Sequence, residues 1–157
     1  MAGVQDRPAS AGAARRILVV DDDPDLRLLA VWALEAAGYF VATASSVADA
    51  RAWMNRNGLP HLAVLDILMP NGSGLDLAAE ISLYCDLPII LLTGVDDPAV
   101  AARSLDEVAE DYIRKPFHAE ELAARVGRVL RRISDFSYAE APRSTISPGL
   151  DLDYIHQ

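Results

Sequence analysis

Short apolar runs alternate with helix-like segments five times between residues 16 and 133, and this alternation limits the fold more than any other feature of the sequence. The runs are almost continuously apolar, which is typical of strands that are buried on both faces of a parallel sheet. They are ILVV (17–20), YFVATA (39–44), LAVLD (62–66), LPIILLT (87–93) and DYIRK (111–115). Right-handed crossovers between such strands predict a doubly wound α/β fold with a five-stranded parallel sheet in the order 2-1-3-4-5.

The segments between the strands carry start and stop signals of helices. Asp23 and Pro24 suit the beginning of the first helix, and Gly38 suits its end. Its apolar stripe is Leu26, Ala30, Ala33, Leu34 and Ala37. Four further helices are predicted: one from Ser45 or Ser46 to Gly58, one over 74–84, one from near Asp97, and one over about 118–132. The last helix has an apolar face made of Leu122, Val126, Val129 and Leu130.

Composition predicts one domain with tails. Of 157 residues, 52% are hydrophobic, which is enough for a single core over 16–133. Residues 1–15 are interpreted as a disordered segment, and residues 134–157 as a linker or C-terminal tail, because both lack apolar periodicity. The net charge of −9 argues against direct binding of nucleic acid. One cysteine, no signal peptide and no membrane-spanning run together predict a cytoplasmic location.

Polar side chains stand where four of the five predicted strands end. They are Asp21, Asp22 and Asp23 after the first strand, Asp66 in the third, Thr93 in the fourth, and Lys115, followed by Pro116, in the fifth. Taken alone, Asp66 could simply cap the next turn. Capping does not explain why the polar ends belong to strands that lie side by side, at the edge where doubly wound sheets bind ligands.

The charges at this edge predict a bound cation. Two carboxylates about 4 Å apart repel by roughly 4 kcal/mol at an effective dielectric of 20. Oxygen ligands of this kind suit Mg²⁺. Lys115 adds a second positive charge, and it is the only lysine against thirteen arginines, which favours a role for a compact ammonium group at that position.

The chain from about Arg16 to Arg132 resembles the receiver domain of bacterial two-component response regulators, which has a flavodoxin-like fold. The matching motifs are ILVVDDDPD, AVLDILMPNGSG, IILLTG and DYIRKPF, in this order and each at a strand end. The resemblance is nearest to receivers of winged-helix transcriptional regulators. It implies that Asp66 accepts a phosphoryl group from a sensor histidine kinase or a histidine phosphotransfer protein.

The resemblance also implies the roles of the other site residues. Mg²⁺ would be held by Asp66, Asp22, Asp21 (through water) and the Leu68 carbonyl. Asp21 and Asp22 are preferred over Asp23 because they directly follow ILVV. Lys115 would pair with Asp66 and then with the phosphoryl group, and the Lys115–Pro116 peptide bond is expected to be cis.

Thr93 and Tyr112 match the switch positions of the family. Phosphorylation would then remodel the face formed by the fourth helix, the fifth strand and the last helix. Asp111, Glu121 and Arg125 match part of a charge pattern that pairs two receivers on this face. Ala101 stands where a basic residue is expected, with Arg103 two residues later, which departs from the pattern.

The resemblance predicts that phosphorylation controls an output, and two cases are open: control of transcription, or phosphate relay and contacts with protein partners. In the first case the chain is a receiver of a longer regulator, dimerises on phosphorylation and reaches DNA only through an effector domain after residue 157. In the second it is a stand-alone receiver that relays phosphate or binds protein partners. In neither is it an enzyme beyond its own phosphoryl transfer and dephosphorylation. Aliphatic Leu68 and Val95 predict slow dephosphorylation, because similar sites use polar groups to orient water.

Three other kinds of protein agree less well with the sequence. A flavin-binding module would need Ser, Thr or Gly after the first strand to cradle a phosphate, and the chain has aspartates there. A phosphatase using Asp21 and Asp23 would need a conformationally free residue where Pro24 stands. A degenerate receiver that takes no phosphate is disfavoured because every chemical position is filled.

Overall fold

A five-stranded parallel sheet lies at the centre of the computed structural model, which describes residues 14–94 and 108–137. In chain order the elements are β1 (Arg16–Val20), α1 (Pro24–Ala36), β2 (Phe40–Ala44), α2 (Val47–Asn57), β3 (Leu62–Asp66), β4 (Leu68–Met69), β5 (Gly72–Ser73), α3 (Gly74–Ser82), β6 (Ile89–Thr93), β7 (Asp111–Arg114) and α4 (Ala119–Ser137). The sheet order is β2-β1-β3-β6-β7, and β4 pairs with β5 in a separate antiparallel ribbon. Without this ribbon the order is 2-1-3-4-5, so the predicted fold is confirmed.

Local capping explains where the first two helices begin. Asp23 Oδ1 accepts hydrogen bonds from the N–H groups of Asp25 (2.9 Å) and Leu26 (3.4 Å), which confirms Asp23 as the cap of α1. Of the two serines considered for α2, Ser46 is the cap, because its Oγ accepts the N–H of Asp49 at 3.0 Å. Ser45 instead donates its hydroxyl to Asp49 Oδ2 at 2.7 Å.

The continuous apolar strands are explained by helices on both faces of the sheet. Leu18, Val20 and Leu65 pack with α2 and α3 on one face. Ile17, Val19 and Val64 pack with α1 and α4 on the other. All four apolar residues predicted for the last helix are buried, which confirms its core face. Among the described residues, no helix combines the length and apolar character needed to cross a membrane.

Several predicted bounds differ by one or two residues, as at β6 (Ile89–Thr93) and β7 (Asp111–Arg114), and two further details differ from the prediction. Ala37 is exposed, because α1 ends before it and Ala37 is its C-cap. Helix α4 continues to Ser137, beyond the predicted end near Arg132. A residue of the added turn, Ser134, accepts a hydrogen bond through its Oγ from the distant Arg15 guanidinium, which also donates to the Leu130 carbonyl at 3.5 Å. The helix predicted from near Asp97, with Val95, Ala101 and Arg103, lies outside the described residues.

Candidate functional site

The polar ends of four strands meet at one edge of the sheet. Strand register aligns Val20 with Leu65, and Asp66 with Leu92. In parallel strands the carboxyl ends lie at the same edge, so Asp21, Asp66, Thr93 and Lys115 follow or end strands at a common rim. Asp21, Asp66 and Thr93 are buried there, with exposed fractions of 0%, 4% and 6%. This burial shows that Asp66 does more than cap a surface turn.

Lys115 bridges two buried carboxylates. Its Nζ lies 3.0 Å from Asp66 Oδ2 and 2.8 Å from Asp21 Oδ2. Burial by itself would lower the pKa of Lys115, but the contacts with Asp21 and Asp66 outweigh it and the pKa is raised. The Lys115–Asp66 pair was predicted from the resemblance, whereas the equally close approach to Asp21 was not. The Lys115–Pro116 peptide bond is cis, as predicted.

Asp21 is held by its backbone and by one carboxylate oxygen. Its N–H donates to the Ala44 carbonyl at 3.1 Å, and its Oδ1 accepts the N–H of Asp23 at 3.0 Å. Its buried Oδ2 forms an ion pair with Lys115 Nζ at 2.8 Å and has no further partner in the described part of the chain. A buried carboxylate oxygen left in this way is suited to a cation.

The acidic cluster fits a magnesium ion. Asp21, Asp22 and Asp66 each offer one oxygen, and these three atoms lie within 4.8 Å of one another. Asp22 is exposed, so the site is open to solvent on that side. Mg²⁺ prefers a few carboxylate oxygens and keeps several waters, which agrees with this donor set. The remaining predicted ligand, Leu68, donates its N–H to Asp66 Oδ1 at 3.3 Å, and the role of its carbonyl stays a prediction.

Burial raises the pKa of Asp66 to about 6. Desolvation is the largest cause, and the nearby carboxylate of Asp21 adds to it. The hydrogen bond and the charge of Lys115 act in the opposite direction but do not cancel the increase. Ionisation of Asp66 is therefore less favourable in the folded than in the unfolded chain when no cation is bound.

Without divalent cations, the contribution of Asp66 to stability should depend on pH. The pKa of Asp66 is higher in the folded than in the unfolded chain, so its contribution is fully present below about pH 4 and is lost as the pH rises through about 6. Urea unfolding in EDTA from pH 4 to 7 measures this. His61 acts oppositely, since burial, Arg15 and Arg16 lower its pKa. The difference between wild type and an Asp66→Asn variant isolates Asp66, and a difference that does not change with pH would contradict the prediction.

Gly74 is a site residue that the sequence reasoning missed. A Cβ atom at Gly74 would lie 2.0 Å from the backbone oxygen of Asp66, so only glycine allows α3 to begin against the end of β3. The Gly74 N–H also donates to the Ile67 carbonyl at 3.1 Å. In the sequence, Gly74 belongs to the motif AVLDILMPNGSG, and nothing local indicates that it contacts the backbone of Asp66.

The switch residues differ in exposure. Thr93 is buried, whereas Tyr112 is 52% exposed. Thr93 ends β6 and pairs in register with Arg114 of the neighbouring strand β7. Tyr112 also lies in β7 and pairs with Leu91 of β6. The two residues thus lie on adjacent strands, and their coupling on phosphorylation stays a prediction.

The residues proposed for a dimer face pair within one chain. Asp111 accepts two hydrogen bonds from Arg125 (3.0 and 3.1 Å) and one from Arg128 (2.8 Å). Arg125 Nε also lies 3.3 Å from Glu121 Oε1. Burial opposes ionisation of Asp111, but the arginines dominate and lower its pKa. Pairing between two chains would have to exchange these contacts, and dimerisation stays a prediction.

A doubly wound sheet with a buried, lysine-paired aspartate beside two further aspartates defines a receiver domain. The chain belongs to the response regulator receiver domain family, whose model matches residues 17–127. It is 36% identical over 143 residues to the phosphate regulon transcriptional regulatory protein PhoB of Escherichia coli K12, covering 89% of this chain and 61% of that protein. It is 37% identical over 124 residues to ycf27 of Guillardia theta, which is named as a transcriptional regulator, covering 79% and 48%.

Solved structures support the same family. The chain is similar to a response regulator receiver domain protein from Clostridium thermocellum, with a TM-score of 0.69 and 30% identity over 78% of this chain and 98% of that one. It is also similar to a CheY-like receiver from Methanospirillum hungatei JF-1, with a TM-score of 0.71 and 28% identity over 79% and 99%. The chain therefore spans nearly all of these receivers, but only about half to three fifths of the curated regulators.

Proposed function

We propose that Asp66 accepts a phosphoryl group from a phosphohistidine of a sensor histidine kinase or a histidine phosphotransfer protein. The observation that carries this proposal is the buried carboxylate of Asp66 at the end of β3. One of its oxygens lies 3.0 Å from the Lys115 ammonium, and it shares a candidate cation site with Asp21 and Asp22. The proposed reaction is confined to the chain's own phosphorylation and dephosphorylation, so the protein is not an enzyme acting on other substrates.

In the proposed step, an oxygen of Asp66 attacks the phosphorus atom. A P–O bond forms, the P–N bond breaks, and its electron pair leaves with the imidazole nitrogen, which takes up a proton. Asp21, Asp22, Asp66 and the Leu68 carbonyl would hold Mg²⁺, which when bound neutralises charge on the phosphoryl oxygens. Lys115 would exchange its contact with Asp66 for a phosphoryl oxygen while it stays paired with Asp21.

Phosphorylation would act through Thr93 and Tyr112. A hydrogen bond from the Thr93 hydroxyl to a charged phosphoryl oxygen is worth about 1.5 to 3 kcal/mol. This free energy shifts a two-state equilibrium by roughly 10- to 100-fold. Movement of Thr93 toward the phosphoryl group would leave space for Tyr112, which lies on the adjacent strand and is half exposed before the change.

The proposed output is control of transcription in the cytoplasm. The support comes from the relatives, since both curated proteins compared above are named as transcriptional regulators and both are longer than this chain. DNA would be reached through an effector domain, in agreement with the net charge of −9. A homodimer formed on phosphorylation would use the face that contains Asp111 and Arg125.

Incubation with acetyl phosphate tests the phosphoacceptor function without knowledge of the kinase. With Mg²⁺, the intact mass should increase by one phosphoryl group, and EDTA should prevent the increase. No increase in folded protein with Mg²⁺ present would contradict the proposal and would favour a degenerate receiver that acts through protein contacts.

The phosphorylated protein should lose its phosphoryl group slowly. Leu68 is 63% exposed beside the site and has no polar group to orient an attacking water. The half-life, followed by intact mass after removal of acetyl phosphate, should be hours, and Leu68→Asn should shorten it several-fold. Leu83→Asn changes another exposed leucine, at the end of α3, and should leave the lifetime unchanged. A half-life of seconds in the wild type would contradict this prediction.

A further inference from the structure

Arg27 makes a contact with the acidic loop that the proposed phosphoryl transfer does not use. This partly buried residue lies in the first turns of α1, and its Nη1 donates to the backbone carbonyl of Asp21 at 2.6 Å. In sequence Arg27 is an ordinary basic position on a helix. In the structure its charged group reaches the loop that carries Asp21 and Asp22.

This contact holds the peptide group that joins the two aspartates. The carbonyl of Asp21 and the N–H and Cα of Asp22 belong to one planar unit, so holding the oxygen also restricts the position of the Asp22 Cα. The N–H of Asp21 is held by Ala44, and its Oδ1 by the N–H of Asp23. Arg27 supplies the remaining backbone contact, which lies directly before the exposed Asp22.

We propose that Arg27 is a positioning residue for the cation site, which holds the Asp21–Asp22 peptide so that both carboxylates face the cation before it binds. The inference rests on the proposed function, because it concerns the affinity of the site for Mg²⁺. Ligands that are already in place lose less conformational freedom on binding, so the contact strengthens cation binding.

The charge of Arg27 acts in the opposite direction. A guanidinium group near the loop repels a divalent cation, so a purely electrostatic effect would make Mg²⁺ bind more tightly when Arg27 is removed. Positioning makes Mg²⁺ bind more weakly after the same substitution. The sign of the change in affinity therefore separates the two effects.

Arg56 provides a matched control. Arg27 and Arg56 line the same cleft of about 300 Å³, together with Ser45, Asp49 and Trp53. Arg56 is exposed near the end of α2, and no hydrogen bond connects it with the Asp21 carbonyl in the described structure. Arg56→Ala removes a positive charge from the same cleft and leaves the contact with the loop intact.

Calorimetric titration with Mg²⁺ alone tests the inference on the full chain. We expect Arg27→Ala to bind Mg²⁺ up to roughly 10-fold more weakly, the change expected when a ligand side chain has to be ordered on binding instead of before it. Arg27→Lys keeps an N–H donor and should recover part of the affinity. Arg56→Ala should bind as tightly as the wild type or more tightly. Melting curves in EDTA establish that each variant is folded.

Equal or tighter Mg²⁺ binding by Arg27→Ala would overturn the inference, as would equal weakening by Arg56→Ala. If Arg27→Ala fails to fold, Arg27→Gln is measured instead, because it removes the charge and has a shorter side chain. Weaker Mg²⁺ binding by this variant supports the inference, and equal or tighter binding overturns it. Failure of the wild type to bind Mg²⁺ would instead contradict the proposed function, so the two failures are distinguishable.

Discussion

Asp66→Asn is expected to abolish phosphoryl uptake from acetyl phosphate and, at the same time, to stabilise the cation-free protein. The asparagine amide is not a nucleophile, so the gain of one phosphoryl group should disappear from the intact mass. The free energy of unfolding should increase because the substitution removes a carboxyl group whose pKa is raised to about 6 by burial and by the charge of Asp21. We expect a gain of about 1 to 2 kcal/mol at pH 7 after allowance for solvent screening.

The control for this prediction is Asp25→Asn. Asp25 is exposed in the first turn of α1, so its substitution removes a charge near the same edge of the sheet without changing the buried site. This variant should take up a phosphoryl group and should gain no stability in EDTA. Phosphorylation of Asp66→Asn would show that another residue is the acceptor. A lower stability of Asp66→Asn in EDTA would show that the Lys115–Asp66 ion pair is worth more than the burial costs.

Gly74→Ala is expected to have the largest effect on stability. The added Cβ would lie 2.0 Å from the Asp66 backbone oxygen and 2.8 Å from its carbonyl carbon. These are backbone atoms of a buried strand, so relief requires α3 to move away from β3. We expect a loss of about 3 kcal/mol or more in urea unfolding, at the upper end of the cost of overpacking.

Gly127→Ala is the matched control for the substitution of a helical glycine. Gly127 lies inside α4, and an added Cβ would meet the end of the flexible Arg131 side chain at 3.2 Å and the Tyr39 hydroxyl at 3.7 Å. This variant should be more stable by up to about 1 kcal/mol, because alanine is the better helix former. A loss below about 1 kcal/mol for Gly74→Ala would contradict the close packing of α3 against the Asp66 backbone.

The fold could be predicted from the sequence because each of its signals is local. The continuous apolar character of LAVLD requires helices on both faces, and the bounds of β3 agree with the prediction. Asp23 and Ser46 cap the helices that follow them, as side chains of that type and position do. Where the prediction was wrong, Ala37 is the C-cap of α1 instead of a member of its apolar stripe, and the added length of α4 includes Ser134, which contacts Arg15 from a distant part of the chain.

The site could be predicted in part for a different reason. The topology of a parallel sheet brings its strand ends together, so Asp21, Asp66, Thr93 and Lys115 could be assigned to one rim before any distance was known. The distances themselves could not be predicted. Nothing in the sequence indicates that Lys115 contacts Asp21 as closely as Asp66, or that Arg27 reaches the Asp21 carbonyl.

By itself the sequence determined the order of the strands, the residues at the rim and the family to which they belong, because these follow from apolar periodicity, turn signals and motifs read along the chain. Only the tertiary structure decided the chemical state of the site. The raised pKa of Asp66, the ion pair between Lys115 and the buried Oδ2 of Asp21, and the need for glycine at position 74 all depend on groups that are far apart in the chain. Burial and electrostatic interactions are set by distance in space, and folding alone defines that distance.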